Sequence, residues 1–246
     1  MTGTLINAGS IVLGAGIGTV LGARLSEQLR GTVTAVLGLF VIVLGLADAL
    51  DTFGEELRDA LGPVAVLVVL GSLLLGGVVG ELVDLEAQLR RLGTWLRDRT
   101  QRRSAATDGP DGDGQRFVEG FVVTSLLVCV GPLAILGPLQ DGLTDGFELL
   151  AVKSVLDGVA ALAFASVLGL GVAFAALPLL LLQGAITLAA VALSEVLDPV
   201  MVTALGATGG FLVMAIGVRL LELREIRVAN LLPSLVIAPL LVAMLL

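Results

Sequence analysis

The amino-acid sequence predicts an all-α polytopic transmembrane helical bundle, and three observations predict it. Hydrophobic residues make up 57% of the 246 and only 15% are charged, with a mean hydropathy of +1.04. A soluble domain is nearer half apolar, with about a quarter of its residues charged. The apolar residues fall into runs of about 17–25, the length that crosses a hydrocarbon core as a helix, separated by short polar gaps. The third observation is the absence of Tyr and the single Trp. A transmembrane β-barrel needs alternating segments of about ten residues and girdles of aromatic side chains. A single integral membrane domain over 1–246 follows.

Eight spans are expected, at about 4–23, 32–50, 62–83, 117–140, 149–169, 172–195, 199–219 and 229–246. The fourth is interrupted, and the count is seven if it re-enters instead of crossing. The first, TLINAGSIVLGAGIGTVLGA, lacks a basic leader and is too long for a signal-peptide core, so it is read as a retained span. Between spans three and four lies the polar stretch Asp84–Arg116. Its first part carries Leu85, Leu89, Leu92 and Leu96 on an otherwise polar helix, the pattern of an interfacial helix with Trp95 at headgroup level. Its second part, SAATDGPDGDGQ, has the composition of a disordered loop.

Basic residues follow a single side. Arg24 and Arg30 come after span one, Arg90, Arg91, Arg97, Arg99, Arg102, Arg103 and Arg116 between spans three and four, and Arg219, Arg224 and Arg227 around the end of span seven. Cytoplasmic loops of membrane proteins are enriched in Lys and Arg. The expected orientation in a prokaryotic inner membrane therefore has both termini outside and the long loop cytoplasmic.

Two segments also resemble each other. LSEQLRGTVTAVLGLFVIVLG from Leu25 and LSEVLDPVMVTALGATGGFLVMAIGV from Leu193 share LSE-x-L, VTA and a Phe followed by aliphatics and glycine. Spans one to three and six to eight would then form an inverted repeat, a plan common in secondary transporters, with the site at the repeat interface.

Histidine is absent and Cys129 is the lone cysteine. Cys/His zinc sites, haem ligation and internal disulfides are therefore excluded. No metal, cofactor or nucleic-acid partner is expected. Without paired carboxylates or a Ser-Lys arrangement, no enzyme is expected either.

The functional signal concentrates in FVEGFVVTSLLVCVGPLAILGPLQDGL, from Phe117, and LLAVKSVLDG, from Leu149. Pro132 and Pro138 remove amide donors, and Gly131 and Gly137 ease bending. Two readings fit: a discontinuous helix whose freed carbonyls line a pathway, or a packed kink of the kind frequent in membrane helices. Lys153, the only lysine, and Asp157 are one helical turn apart and can pair. A lone charge at mid-bilayer costs about 2.5–3.5 kcal/mol on insertion scales, so a pair or a wet cavity is required. The alternative is an interfacial pair with Lys153 snorkelling outward.

Glu119 lies near the cytoplasmic start of span four. Ser125, Thr124, Asn7, Ser10, Gln183, Thr187 and Thr208 are polar groups inside spans, suited to ion coordination or to interhelical hydrogen bonds. Asn230 is placed to cap the last helix. Gly14, Gly18 and Gly22, and Gly206 and Gly210, are small-residue faces for close helix approach, within the chain or between copies in a homo-oligomer. GAGIG is not a nucleotide fingerprint, since no strand precedes it.

GFVVTSLLVCVGPLAILGPLQDGL, KSVLDG, QGAITL and VANLLPSL together resemble the prokaryotic YqgA-like membrane proteins, domain-of-unknown-function family 554. The likeness runs over roughly 3–83 and 117–240. It implies a polytopic inner-membrane protein, and a sodium channel or pump and an effect on biofilm formation are among the names attached to the family. It also strengthens the choice of Glu119, the Gly-Pro segment, Lys153, Asp157, Gln183 and Asn230, which lie in the resembling motifs. The sequence thus points to a small transporter or channel, Na⁺ or H⁺ favoured, around span four and Lys153/Asp157. A membrane scaffold acting through residues 84–116 and anionic lipid is the competing expectation.

Overall fold

Long apolar runs leave the backbone no polar partner but itself, which dictates helices. The computed structural model describes residues 1–101, 112–144 and 146–246, and it contains no strand among them. The helices are α1 (Thr2–Gly22), α2 (Glu27–Ala49), α3 (Glu55–Leu61), α4 (Val64–Val83), α5 (Leu85–Gln101), α6 (Gly112–Cys129), α7 (Leu133–Leu143), α8 (Glu148–Leu168), α9 (Ala176–Leu188), α10 (Ala190–Ser194), α11 (Pro199–Leu220) and α12 (Ser234–Leu245). Short 3₁₀ segments cover Leu50–Phe53, Gly169–Ala175 and Val228–Leu231.

Six helical stretches are long and apolar enough to cross a membrane, or seven when α6 and α7, bent by 61°, are taken as one span. One of the six, Glu148–Leu188, has 41 residues and folds back on itself. Gly169, at φ +80°, ends α8 in a conformation natural to glycine. The chain then returns along α1, so that Asn7 reaches both Asp157 of α8 and Gln183 of α9. Counted this way, the chain passes through the bundle eight times.

The bent fourth span crosses; it does not re-enter. Its start, at Phe117, packs on Gly171 beside the α8–α9 turn, and its far end, at Asp141, meets Thr4 near the start of α1. Both chain ends consequently lie on one side of the bundle, and α5 lies on the other. Large apolar side chains such as Leu13, Leu74, Leu82, Leu181 and Val236 face outward, as lipid-facing positions require.

Glycines set the helix contacts. A Cβ at Gly14, Gly18 or Gly22 would collide with the carbonyls of Gly158, Leu162 and Ser166 in turn, so α1 and α8 run parallel with backbones in contact. Helices without side-chain bulk gain dispersion contacts that lipid cannot supply. Gly210 packs on Gly45 and Ala49, and Gly206 on Pro132. Both small-residue faces are therefore filled from within the chain.

The repeat is visible in these contacts, in a different register from the matching letters. Gly38 meets Leu221 and the Gly217 carbonyl, while Gly210 meets Ala49 and the Gly45 carbonyl. Gly45 meets Met214, while Gly217 meets Ile42. Each contact becomes its mate when 172 is added to the residue of α2 and subtracted from that of α11. The N-caps obey the same shift: Ser26 accepts from Leu29 N–H and Asp198 from Val200 N–H. The LSE-x-L match is not the equivalence, because Ser194 ends α10 and caps nothing.

Helix α5 has the expected amphipathic form. Leu96 is buried, Gly93 abuts Phe121 and Val118 of α6, and Leu92 and Trp95 are exposed, with the Arg99 guanidinium 5.1 Å above the Trp95 ring. Of the stretch expected to be disordered, residues 104–111 lie outside the described residues, and residues 112–115 belong to the first turn of α6. The helix begins earlier than hydropathy indicates because Asp, Gly and Gln are permitted in a first turn beyond the apolar run.

Candidate functional site

The centre of the bundle holds a buried ion pair. Lys153 and Asp157, on one face of α8, are 6% and 8% exposed, and Lys153 Nζ donates to both Asp157 oxygens at 2.9 and 2.7 Å. The snorkelling alternative therefore does not apply. The α1–α8 contact brings Asn7 alongside, and its Nδ2 donates to Asp157 Oδ2 at 3.0 Å and to Gln183 Oε1 at 3.5 Å. Asn7 thus links the Asp157 carboxylate of α8 to Gln183 of α9.

These groups do not use all their capacity. Asn7 Oδ1 and Gln183 Nε2 have no hydrogen-bond partner, nor do the hydroxyls of Thr4, Thr187, Thr124 and Ser125. A buried hydroxyl in a helix ordinarily returns to the carbonyl three or four residues back, as Ser154, Ser166, Thr208 and Ser234 do here. Thr4 is one turn from Asn7, and Thr187 is one turn from Gln183. Buried polar atoms left open in this way are costly, and they mark places that water or a solute satisfies.

The first Gly-Pro pair makes the break in span four. Gly131 has φ +110°, and Pro132 caps α7, where its missing N–H costs nothing. Among the described residues no hydrogen bond reaches the carbonyls of residues 127 to 130, whereas those of Gly131 and Pro132 accept from Ala134, Ile135 and Leu136. The freed carbonyls therefore precede the first Gly-Pro pair and do not extend to the second. The second pair makes no break: α7 continues through Pro138, and Gly137 gives room to Leu150. A proline one and a half turns into a helix forfeits few bonds.

Glu119 and Asn230 belong elsewhere, on the α5 side of the bundle. Arg219 holds Glu119 (2.9 and 3.0 Å) and Glu86 (2.7 Å), and Glu86 also accepts from Arg90 and from Ala229 N–H. Asn230 does not cap α12. It accepts from Glu86 N–H at 2.8 Å, at the start of α5, and donates to Glu81. This network lines a cavity of about 930 Å³ with Glu27, Arg30, Arg116 and Arg224. The sequence gave no sign of Glu86 or Arg219 as partners, since they are 133 residues apart.

With this geometry in hand, the family can be assigned. A family model described as Protein of unknown function (DUF554) matches residues 2–243. The protein belongs to the DUF554 family. Similar members are the Uncharacterized membrane protein YdfK of Bacillus subtilis (strain 168), 28% identical over 97% of this chain and 94% of the relative, and the Uncharacterized protein YqgA of Escherichia coli (strain K12), 30% identical over 96% and 94%. No solved structure matches this DUF554 protein.

Proposed function

We propose that this DUF554 protein is a small secondary transporter or channel that passes a cation, Na⁺ or H⁺, through the region around Lys153 and Asp157. The observation that carries the proposal is the buried Lys153–Asp157 pair, linked through Asn7 of α1 to Gln183 of α9, each with a polar atom that has no partner. A purely structural pair would be satisfied on all sides, because an open buried donor costs about 1–3 kcal/mol. In this reading Lys153 acts as a tethered counter-ion that holds Asp157 while the site is empty. A cation replaces it, and Gln183, Asn7, Thr4 and Thr187 supply the path toward the side that bears the chain ends. The inverted pairing of α2 with α11 supports alternating access, in which one half rocks against the other.

Orientation follows from the arginines. Arg24, Arg30, Arg90, Arg91, Arg97, Arg99, Arg116, Arg219, Arg224 and Arg227 share the α5 side, and Arg58 lies on the other. The α5 side is proposed as cytoplasmic and both termini as external. A test is uptake of Li⁺, Na⁺ and K⁺, and proton movement read by a pH-sensitive dye, in proteoliposomes of the wild-type protein. Saturable, cation-selective flux supports the reading, and rates equal to those of empty liposomes for every ion refute it.

A second reading has one observation in its favour. The outward face of α5 carries Arg91, Leu92, Trp95 and Arg99 together, a combination suited to lipid headgroups and consistent with a scaffold at the membrane surface.

A further inference from the structure

We infer that Asp48 and the break at Gly131 form a second cation-binding station, separate from the Lys153–Asp157 pair and able to take a monovalent cation. The inference rests on the cation-pathway reading above and adds a site that the sequence does not suggest. Asp48 is in the last turn of α2, where the exposed carbonyls of a helix end disfavour negative charge. Another acid, Asp51, follows in the next turn. Nevertheless the Asp48 carboxylate makes no hydrogen bond or ion pair with any described residue. Asp48 is half-buried there, so a bound cation would offset a charge that no protein group balances.

What lies against it is the helix break. Oδ2 of Asp48 is 3.9 Å from the position a Cβ would occupy on Gly131. Gly131 itself has φ +110°, and the carbonyls of residues 127 to 130 preceding it accept no hydrogen bond. Gly206 and Gly209 of α11 press on Pro132 and Val130, so the break is held against α11 while its Gly131 side meets α2. The Asp48 carboxylate and the open carbonyls that lead to Gly131 offer oxygen donors alone, which suit a hard cation. A single carboxylate suits a monovalent ion, and no cluster of three or more acidic, Cys or His side chains exists among the described residues to favour a divalent one.

Both carboxylates lie on helices that meet span four: Asp48 of α2 lies against Gly131, and α6, which leads into the break, packs on α8, the helix of Asp157. Asp157 carries its own lysine, whereas Asp48 carries none. An entering cation therefore finds Asp48 open before it displaces Lys153 from Asp157. The rival account is that the amide end of α7 alone balances Asp48 as a fixed charge. That account predicts an effect of Asp48 on stability and none on cation affinity.

The experiment is equilibrium binding of radioactive Na⁺ to the purified full-length protein in detergent, with choline holding ionic strength constant and unlabelled Li⁺ and K⁺ as competitors. The inference predicts saturable binding whose half-saturation rises at least about tenfold in Asp48→Asn. Asp51→Asn should stay within about twofold of wild type, and Asp48→Glu should lie between the two. If Asp48→Asn does not fold, Asp48→Glu against Asp51→Asn decides the matter. Half-saturation unchanged in these Asp48 variants overturns the inference and leaves the pathway reading intact. Equal losses in the Asp48 and Asp51 variants also overturn it, since they indicate general surface charge. No saturable binding in wild type overturns it too, and flux from the same preparation then tells whether the cation reading falls with it.

Discussion

Asn7 donates a hydrogen bond to Asp157 at 3.0 Å across 150 residues of sequence. The same carboxylate oxygen accepts from Lys153 at 2.7 Å. Asp157 is thus held by a cation from its own helix and an amide from a parallel one, and that amide also donates to Gln183. Removing one partner of a buried pair leaves an uncompensated charge, which costs more than the pair contributes. Lys153→Met should therefore lower stability by about 3 kcal/mol. The double change Lys153→Met with Asp157→Asn should recover most of that loss. Thermal unfolding of the purified variants in detergent measures both, and equal stability of the single and double variants would show that the pair is not electrostatically coupled.

Helix α1 tests the glycine contacts. Gly18→Val places side-chain atoms against the Leu162 carbonyl, where neither backbone can yield, and overpacking of this kind costs about 1–3 kcal/mol or more. Gly16 has nothing within 4 Å of its Cβ position, so Gly16→Val should stay within about 0.5 kcal/mol of wild type. Monodispersity and unfolding temperature report the difference. Equal behaviour of the two variants would place α1 away from α8.

Arg219 and Arg227 are both ion-paired, and they should behave differently. Arg219 side-chain exposure is 9% and it joins Glu86 to Glu119, whereas Arg227 is 61% exposed and meets an equally exposed Glu81. Arg219→Ala takes the closest cation from Glu86 and Glu119 and leaves them to Arg90, which should cost about 2–3 kcal/mol. Arg227→Ala should cost at most about 1 kcal/mol, because an exposed pair is screened by water and salt. Unfolding in detergent at low and high salt separates them, and a salt-sensitive Arg219 contribution would contradict its burial.

Much of this arrangement was legible in the sequence, and the misses have physical causes. The spans follow from apolar length, the Lys153–Asp157 pair from helical spacing, and the break from Gly131-Pro132. What spacing cannot give is which spans touch. Asn7 and Gln183 stand out as polar residues in apolar runs, but the bond from Asn7 to Asp157 depends on glycine contacts between α1 and α8. Glu119 read as an interfacial acid because its partner, Arg219, is 100 residues away. Asp48 escaped notice because an acid at the end of a span is ordinary until a helix break is found beside it. Pro138 was expected to break the helix like Pro132; it does not, since only Gly131 takes a positive φ. The repeat was detected through shared letters, whereas its true register is carried by helix caps and glycine contacts.

Exchanging Arg91, Trp95 and Arg99 on the outward face of α5 for Ala separates the transport reading from the scaffold reading. The charged site, the break and the α2–α11 pair all lie outside that face, so flux should stay within about twofold of wild type, well short of a tenfold change in barrier terms. A loss of flux comparable to that of a site variant would favour that face as the working part.

The most direct measurement is cation flux through Asp157→Asn in proteoliposomes, beside wild type reconstituted at the same density and checked for equal monodispersity. The exchange keeps the shape and hydrogen-bonding capacity of the side chain and removes its charge. If Asp157 is the carboxylate that the passing cation meets, flux falls to the rate of empty liposomes. Flux equal to wild type in the folded variant would remove Asp157, and with it the proposed site, from the mechanism.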